Sequence, residues 1–437
     1  MVPPAFPVEV VGAALSPRDQ EQLAPHNNRS RLVIVLVFVL MFVLGLFLMK
    51  SLQSALAGST LRLGIDLYPR WVGSEAVLNG QSPYSLETRR HIWQAIYGST
   101  SQPDGNPFGF YYPPSIATLL IPFILLGFSI DSAAVLWSAF LWASWTTVLL
   151  VVIVQPPRGV DRRSLPLLLS VLLLIGGLLF RPAFANYVLG QYSLFSVLML
   201  VAAWVSHQHK KDILVGIFAS LSLTKPALTV VPVAIFMIFY ARSLKSYLSF
   251  GLTSILLYLP PTLLLGWWVP DFLEDLSRYT LENRVSWSVG DIETIAGILW
   301  LMLSVYLIVS GLLRNDGVLV LSASLALGMI FFPHTADYDL VALVCLLFWL
   351  ASRWLWLERP LWPLQCAFLI LILFPWASLF AFIQVGLPLA VERWYRFIWL
   401  VYPVMILLSV SATWYLECKT RLPAASDQLP SIDASLS

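Results

Sequence analysis

Apolar runs, many of them without a charge, recur along most of this chain between short polar breaks. Many extend for 15 to 25 residues, and a helix needs about 20 apolar residues to cross an apolar core of about 30 Å. The clearest runs lie at about 32–56, 132–154, 166–180, 193–206, 247–266, 292–313, 317–332, 340–356, 363–383 and 397–416. Two further runs are ambiguous: 115–128 is short and contains Pro122, and 213–240 is long and broken by Lys225-Pro226. Read as one full span and one kinked span, they bring the total to twelve transmembrane helices. Read as a re-entrant dip and a hairpin of two half-length helices, they again bring it to twelve.

The charge pattern chooses between the two arrangements, because basic residues collect in cytoplasmic loops. The hairpin arrangement keeps Arg158, Arg162, Arg163, Lys210, Lys211, Arg242, Lys245 and the basic N-terminal segment on the cytoplasmic side. The alternative exports the first two of those loop clusters, so the hairpin arrangement is preferred. The expected protein is all-α and polytopic, multi-pass in a plasma membrane, with both termini cytoplasmic. Its organisation reads as a cytoplasmic tail over 1–31, a transmembrane domain over 32–420 and a disordered cytoplasmic tail over 421–437. The long first extracytoplasmic loop, 57–131, contains amphipathic helices and the re-entrant segment. The other outer connections are Arg181 to Tyr192, Trp267 to Gly290 and Pro333 to Asp339.

Composition sharpens the picture. Only 11% of the 437 residues are charged and 58% are hydrophobic, against about 25% charged in a soluble domain. The 18 Trp, 16 Tyr and 25 Phe suit membrane interfaces, where amphipathic rings gather. A net charge of +2 argues against a nucleic-acid partner. The run from Leu32 is too long for a cleaved signal peptide and reads as an uncleaved first span. The three cysteines, Cys345, Cys366 and Cys418, lie in or beside apolar segments and form no CxxC knuckle or disulfide framework.

Candidate chemistry lies in the polar breaks. Asp66 follows the first span within Gly64-Ile65-Asp66-Leu67-Tyr68; a carboxylate held there beside aromatics gains basicity, whereas in an open loop it is simply solvated. Tyr84 follows Gly80-Gln81-Ser82-Pro83, and Tyr111-Tyr112-Pro113-Pro114 makes a rigid aromatic platform that could stack on a sugar or merely anchor at the interface. Gln191, in Gly190-Gln191-Tyr192, could bind hydroxyl groups or cap a helix. Lys225 interrupts an otherwise uncharged run from Ile213 to Ala241. A lysine at such depth is costly unless paired or lining a polar cavity; it could hold a lipid phosphate or snorkel to the headgroups. His334, Asp337 and Asp339 share one short turn. One histidine and two aspartates suit an acid–base pair or helix capping and are too few for a metal site. The acidic cluster Asp271, Glu274 and Asp275, with Arg278 nearby, reads as a solvated amphipathic helix. No GxxxxGK[ST], GxGxxG, HExxH or GxSxG motif occurs, so nucleotide-driven chemistry is not expected.

Taken in order, Asp66, Tyr84 behind Gly80, Tyr112-Pro113-Pro114, Gly190-Gln191 and Lys225-Pro226 resemble the pattern of glycosyltransferase family 87. The stretch beyond Asp339 carries little of the resemblance. The family consists of polytopic GT-C-fold enzymes and includes polyprenol-phosphate-mannose-dependent mannosyltransferases. The resemblance implies transfer of a sugar, mannose by default, from a polyprenyl-phosphate-sugar donor to a lipid-linked or glycan acceptor at the extracytoplasmic face, with inversion. It assigns Asp66 as general base and matches His334 to a functional histidine of a late outer loop. Lys225 is the candidate for the donor phosphate, with Tyr84, Tyr111, Tyr112, Gln191, Asp337 and Asp339 as substrate-binding candidates. No cofactor is expected, and this reading requires no divalent metal. The Gly-, Ser-, Pro- and Asn-rich stretch from Tyr97 to Phe108 looks like an insertion and a possible acceptor-specific lid. The main rival class is a multi-span transporter or flippase of lipid-linked sugars, which also uses broken helices. Against it, no inverted repeat is visible and the polar residues gather toward one face. A glycan ligase or polymerase would put its key residues in a larger late loop. A structural scaffold leaves Lys225 and the His334 turn unexplained.

Overall fold

The computed structural model describes residues 28–57, 62–101, 108–154, 167–282, 291–331, 337–354, 362–384 and 390–421. His334, half of the insertion-like stretch, most of the N-terminal tail and all but the first residue of the C-terminal tail lie outside these. Among the described residues every regular element is a helix.

Among the described residues six helices are long and apolar enough to cross a membrane: Leu32–Ala55, Ile130–Val151, Leu244–Leu265, Ile295–Leu313, Pro363–Ala381 and Phe397–Cys418. A seventh span arises if Leu169–Leu178 and Arg181–Leu189, bent by 45° at their junction, count as one. The remaining apolar helices of the twelve expected are shorter, Ser115–Leu125, Ser193–Gln208, Asp212–Ser222, Pro226–Phe239 and Gly317–Ile330 among them. The breaks that shorten them are the polar positions around which the site is built. This is an all-α, polytopic membrane protein, and its surface says why. Leu244, Leu248, Leu252, Ile255, Leu259 and Leu263 form an exposed apolar stripe along one helix, as do Leu32 to Leu48 along the first. Stripes of this extent are untenable in water and natural against lipid.

The elements that position the site are numbered here in chain order: α1 (Asn28–Ala55), α2 (Leu67–Leu78), α3 (Leu86–Tyr97), α4 (Ser115–Leu125), α5 (Ile130–Val154), α6 (Leu167–Leu178), α7 (Arg181–Leu189), α8 (Ser193–Gln208), α9 (Asp212–Ser222), α10 (Pro226–Phe239), α11 (Leu244–Leu265) and α12 (Val269–Glu282). A late 3₁₀ helix spans Asp337–Leu343. The 11 residues of α4 reach only about 16 Å at 1.5 Å per residue, too short to cross. Both its flanks sit at one end of the molecule: Tyr112 reaches Arg70 of α2 at 2.7 Å, and Asp131 accepts from Tyr68 of α2 at 2.6 Å and from Gln53 of α1 at 3.2 Å.

Helices α9 and α10 fold back on each other. Lys211 N donates to Ser206 O at 2.9 Å, and the ring of Tyr240, just past α10, lies 5.2 Å from that of Trp204. Both contacts are at the C-terminal end of α8, whereas Lys225 at the fold reaches Ser193 at its N-terminal end. Proline at the first position of α10 explains the break, since its ring cannot continue the preceding helix.

Helices α2, α3 and α12 cap this end with a small core of their own, Tyr68, Tyr84, Ile92, Ile96 and Phe110, against which Phe272 packs. Ser85 caps α3 by accepting from Thr88 N at 3.1 Å, and Gly98 ends it in the left-handed conformation. Arg89 and Asp275, both buried, pair across α3 and α12.

Candidate active site

Asp66 sits in the turn that joins the first span to α2. Gly64 enters that turn with φ +68°, and its N–H donates to Val188 O at 2.8 Å while Asp66 N donates to Leu189 O at 3.0 Å. The turn is thereby sewn to the C-terminus of α7. There Gly190 closes the helix with φ +75°, and a Cβ on it would lie 3.1 Å from Gly64 Cα. Two glycines thus let two backbone turns meet, and the meeting brings Gln191 to Asp66: Gln191 Nε2 donates to Asp66 Oδ2 at 2.5 Å. Burial pushes the Asp66 carboxyl above the usual 3.8, opposed by the Arg70 charge, the Gln191 hydrogen bond and the charge of Lys225.

Arg70 lies one helical turn beyond Asp66 and is fully buried. Its Nη1 donates to Asp66 O at 2.6 Å and Gly190 O at 3.2 Å; its Nη2 donates to the Tyr112 hydroxyl at 2.7 Å and Gln191 Oε1 at 2.8 Å. The Tyr112 and Tyr192 rings flank the guanidinium, with centroids at 4.2 and 4.8 Å. Trp137 stacks on Tyr192 at 4.5 Å and donates to Gly190 O at 3.2 Å. Tyr112, held by the buried Pro113-Pro114 at the start of α4, is pushed up in pKa by burial.

A charged pair, Lys225 and Asp339, lies beside this network. Lys225 Nζ donates to Asp339 Oδ1 at 2.5 Å and to Ser193 Oγ at 2.8 Å, and Ser193 Oγ donates to the same carboxylate. The Tyr338 ring lies under the ammonium, 4.7 Å away. Asn186 closes the arrangement: it donates to Tyr338 O at 2.8 Å and accepts from Leu194 N at 2.8 Å, tying α7, α8 and the 3₁₀ helix together. Pairing removes the penalty that an isolated ammonium would bear in an apolar interior.

Asp66, Tyr112, Gln191, Lys225 and Asp339, picked from the sequence, therefore gather in one place. Tyr84 stands a layer away, its hydroxyl donating to Tyr112 O at 2.8 Å. The Tyr111 ring lies against Gly109, where a Cβ would meet it at 2.7 Å. Asp337 opens the 3₁₀ helix, but its side chain and all of His334 lie outside the described residues. Among those described, no three His, Cys, Asp or Glu side chains come together as a metal site would need. In α12, Glu274 and Arg278 form an exposed pair at 3.0 Å, whereas Asp275 is buried against Arg89. Sequence reasoning missed Arg70, Asn186, Ser193 and Tyr338. Arg70 did carry a signal: a lone charge within Leu67-Tyr68-Pro69-Arg70-Trp71, four positions from Asp66. The others are ordinary polar residues, and only the fold selects them.

A family profile described as glycosyltransferase family 87 matches residues 110–353, more than half of the chain. The match includes Tyr112, Gln191, Lys225 and Asp339 and begins after Asp66, Arg70 and Tyr84. No curated protein matches the chain, nor does any solved structure.

Proposed function

Because the chain belongs to glycosyltransferase family 87, we propose that this membrane glycosyltransferase moves a sugar from a polyprenyl-phosphate donor to a hydroxyl of a lipid-linked or glycan acceptor. Mannose is the sugar favoured by resemblance, and the outer face of the plasma membrane is the side favoured by the distribution of basic loops. The observation that carries the reading is the gathering, within one cluster, of the Asp66 carboxylate, held by Gln191, with Arg70 and the Lys225–Asp339 pair.

Asp66 takes the proton of the acceptor hydroxyl. Its Oδ2 is occupied by Gln191, and its Oδ1 accepts no hydrogen bond among the described residues. Burial raises its basicity toward that of a working general base, and proton transfer to a positioned base contributes about 10²–10⁴-fold. The acceptor oxygen attacks the anomeric carbon as the carbon–oxygen bond to phosphate breaks. The electron pair leaves with polyprenyl phosphate, and the configuration inverts. A cation must take up the charge developing on that phosphate. Lys225 serves this role: two of its three N–H groups go to Ser193 and Asp339, which leaves one for a phosphate oxygen. Tyr111, Tyr112 and Gln191 supply aromatic and amide contacts to the sugar, and Asp337 and His334 are assigned to the substrate by resemblance alone. No step calls for a metal.

The test is transfer from radiolabelled polyprenyl-phosphate-mannose by membranes containing the wild type or Asp66→Ala at equal protein level. Transfer by the wild type alone supports both the activity and the base. Equal transfer by the two removes Asp66 from the mechanism, and transfer by neither makes the donor sugar or the acceptor wrong and favours the transporter reading.

A further inference from the structure

We propose that Arg70 is a positioning residue, which orients the Gln191 side chain so that its NH₂ group, and not its oxygen, faces the Asp66 carboxylate. The inference rests on Asp66 being the general base.

A glutamine amide is nearly symmetric in shape and opposite in polarity at its two ends, so only its neighbours decide which end points where. Gln191 lies between a guanidinium and a carboxylate. Arg70 can only donate, and its Nη2 stands 2.8 Å from Oε1. That contact commits Nε2 to the other side, where it donates to Asp66 at 2.5 Å. Reversing the amide would set NH₂ against guanidinium and oxygen against carboxylate, two repulsive contacts in place of two hydrogen bonds. A donor on the carboxylate favours its charged form, which is the form that accepts a proton.

Arg70 is itself held rigidly. Both terminal nitrogens are engaged, with Asp66 O, Gly190 O, the Tyr112 hydroxyl and Gln191 Oε1, and two rings flank the plane. To reach a substrate phosphate it would have to abandon the backbone turns that carry Asp66 and Gln191. Lys225 is not committed in this way. The other charges acting on Asp66 are Lys225 and Asp339, which face it from the α9–α10 fold and the 3₁₀ helix and are paired with each other. Their opposed effects leave the amide and Arg70 to tune the base.

The experiment is the pH dependence of sugar transfer by the full-length protein in lipid vesicles, for Arg70→Lys, Gln191→Leu and their combination, with donor KM measured above and below the acidic limb. Arg70→Lys keeps the charge and loses the fork. The expected result is an acidic limb shifted up by about one pH unit in each single variant. In Arg70→Lys donor KM should stay within about twofold, and its rate should recover at high pH. The double variant should shift no further than Gln191→Leu alone, because Arg70 acts through the amide. An unmoved limb with a donor KM raised tenfold or more in Arg70→Lys would make Arg70 a phosphate ligand and overturn the proposal, as would additive shifts. Should Arg70→Lys not fold, an unmoved limb in Gln191→Leu is enough to overturn it. Asp66→Asn, run alongside, separates the underlying reading: if it keeps wild-type transfer, Asp66 is not the base, whatever Arg70 does.

Discussion

Asp66 and Gln191 are 125 positions apart in the chain and joined by a hydrogen bond of 2.5 Å. The bond exists because two left-handed glycines, Gly64 and Gly190, let the turn after the first span lie directly on the C-terminus of α7. The base proposed for sugar transfer is thus held by the packing of two backbone turns, and its environment can be perturbed from either side.

The pH dependence of transfer follows from burial. A base works unprotonated, and desolvation raises the Asp66 pKa above 3.8. Activity should therefore be lost, as pH falls, at a higher pH than an exposed carboxylate would give. A pH–rate profile with donor and acceptor saturating checks this; an acidic limb at or below 3.8 would contradict it.

Gly190→Ala should disable the site without touching any proposed substrate contact. The new Cβ would meet Gly64 Cα at 3.1 Å and Leu67 Cβ at 3.3 Å, at φ +75°. A left-handed non-glycine residue costs about 1–2 kcal/mol, and the crowding pushes the Asp66 turn off α7. Thermal unfolding in detergent should register the loss of stability, with a larger proportional loss of transfer.

The Lys225–Asp339 pair separates stability from chemistry. Lys225→Met leaves a carboxylate that is 1% exposed without its cation, a change worth about 3–5 kcal/mol. Lys225→Met combined with Asp339→Asn should recover much of the stability and none of the transfer. If the double variant transfers sugar at the wild-type rate, Lys225 holds no phosphate.

Tyr84→Phe tests whether Tyr84 meets substrate at all. Its hydroxyl is spent on Tyr112 O at 2.8 Å. A scaffolding role predicts a loss of about 1 kcal/mol of stability with KM for donor and acceptor unchanged. A substrate contact would raise one KM severalfold.

Asn186→Leu should be among the most damaging single changes in the spans. It removes the hydrogen bonds to Leu194 N–H and Tyr338 O, and a buried group left unsatisfied costs about 1–3 kcal/mol. Low yield of folded protein in a fluorescence-based expression assay is the expected readout.

What could be read along the chain was whatever depends on local composition. Uninterrupted apolar runs specify membrane helices because a backbone in lipid must satisfy its own hydrogen bonds, so the all-α polytopic class was legible from the first apolar run onward. Isolated polar residues in such runs are costly, which marked Lys225 before any contact was known. The family pattern, too, is a property of order along the chain. What only the tertiary structure decided is which polar residue answers which. Asp339 as the partner of Lys225, Gln191 as the donor to Asp66 and Arg70 as the hub among Asp66, Tyr112 and Gln191 all join segments that are distant in sequence. The hairpin of Asp212–Ser222 and Pro226–Phe239 could be expected from the Lys225-Pro226 break and the basic loops, but its packing along α8, where Trp204 and Ser193 fix its ends, is a matter of the fold. A residue's cost of burial is written in its own chemistry, whereas its compensation lies in whichever part of the chain packs against it.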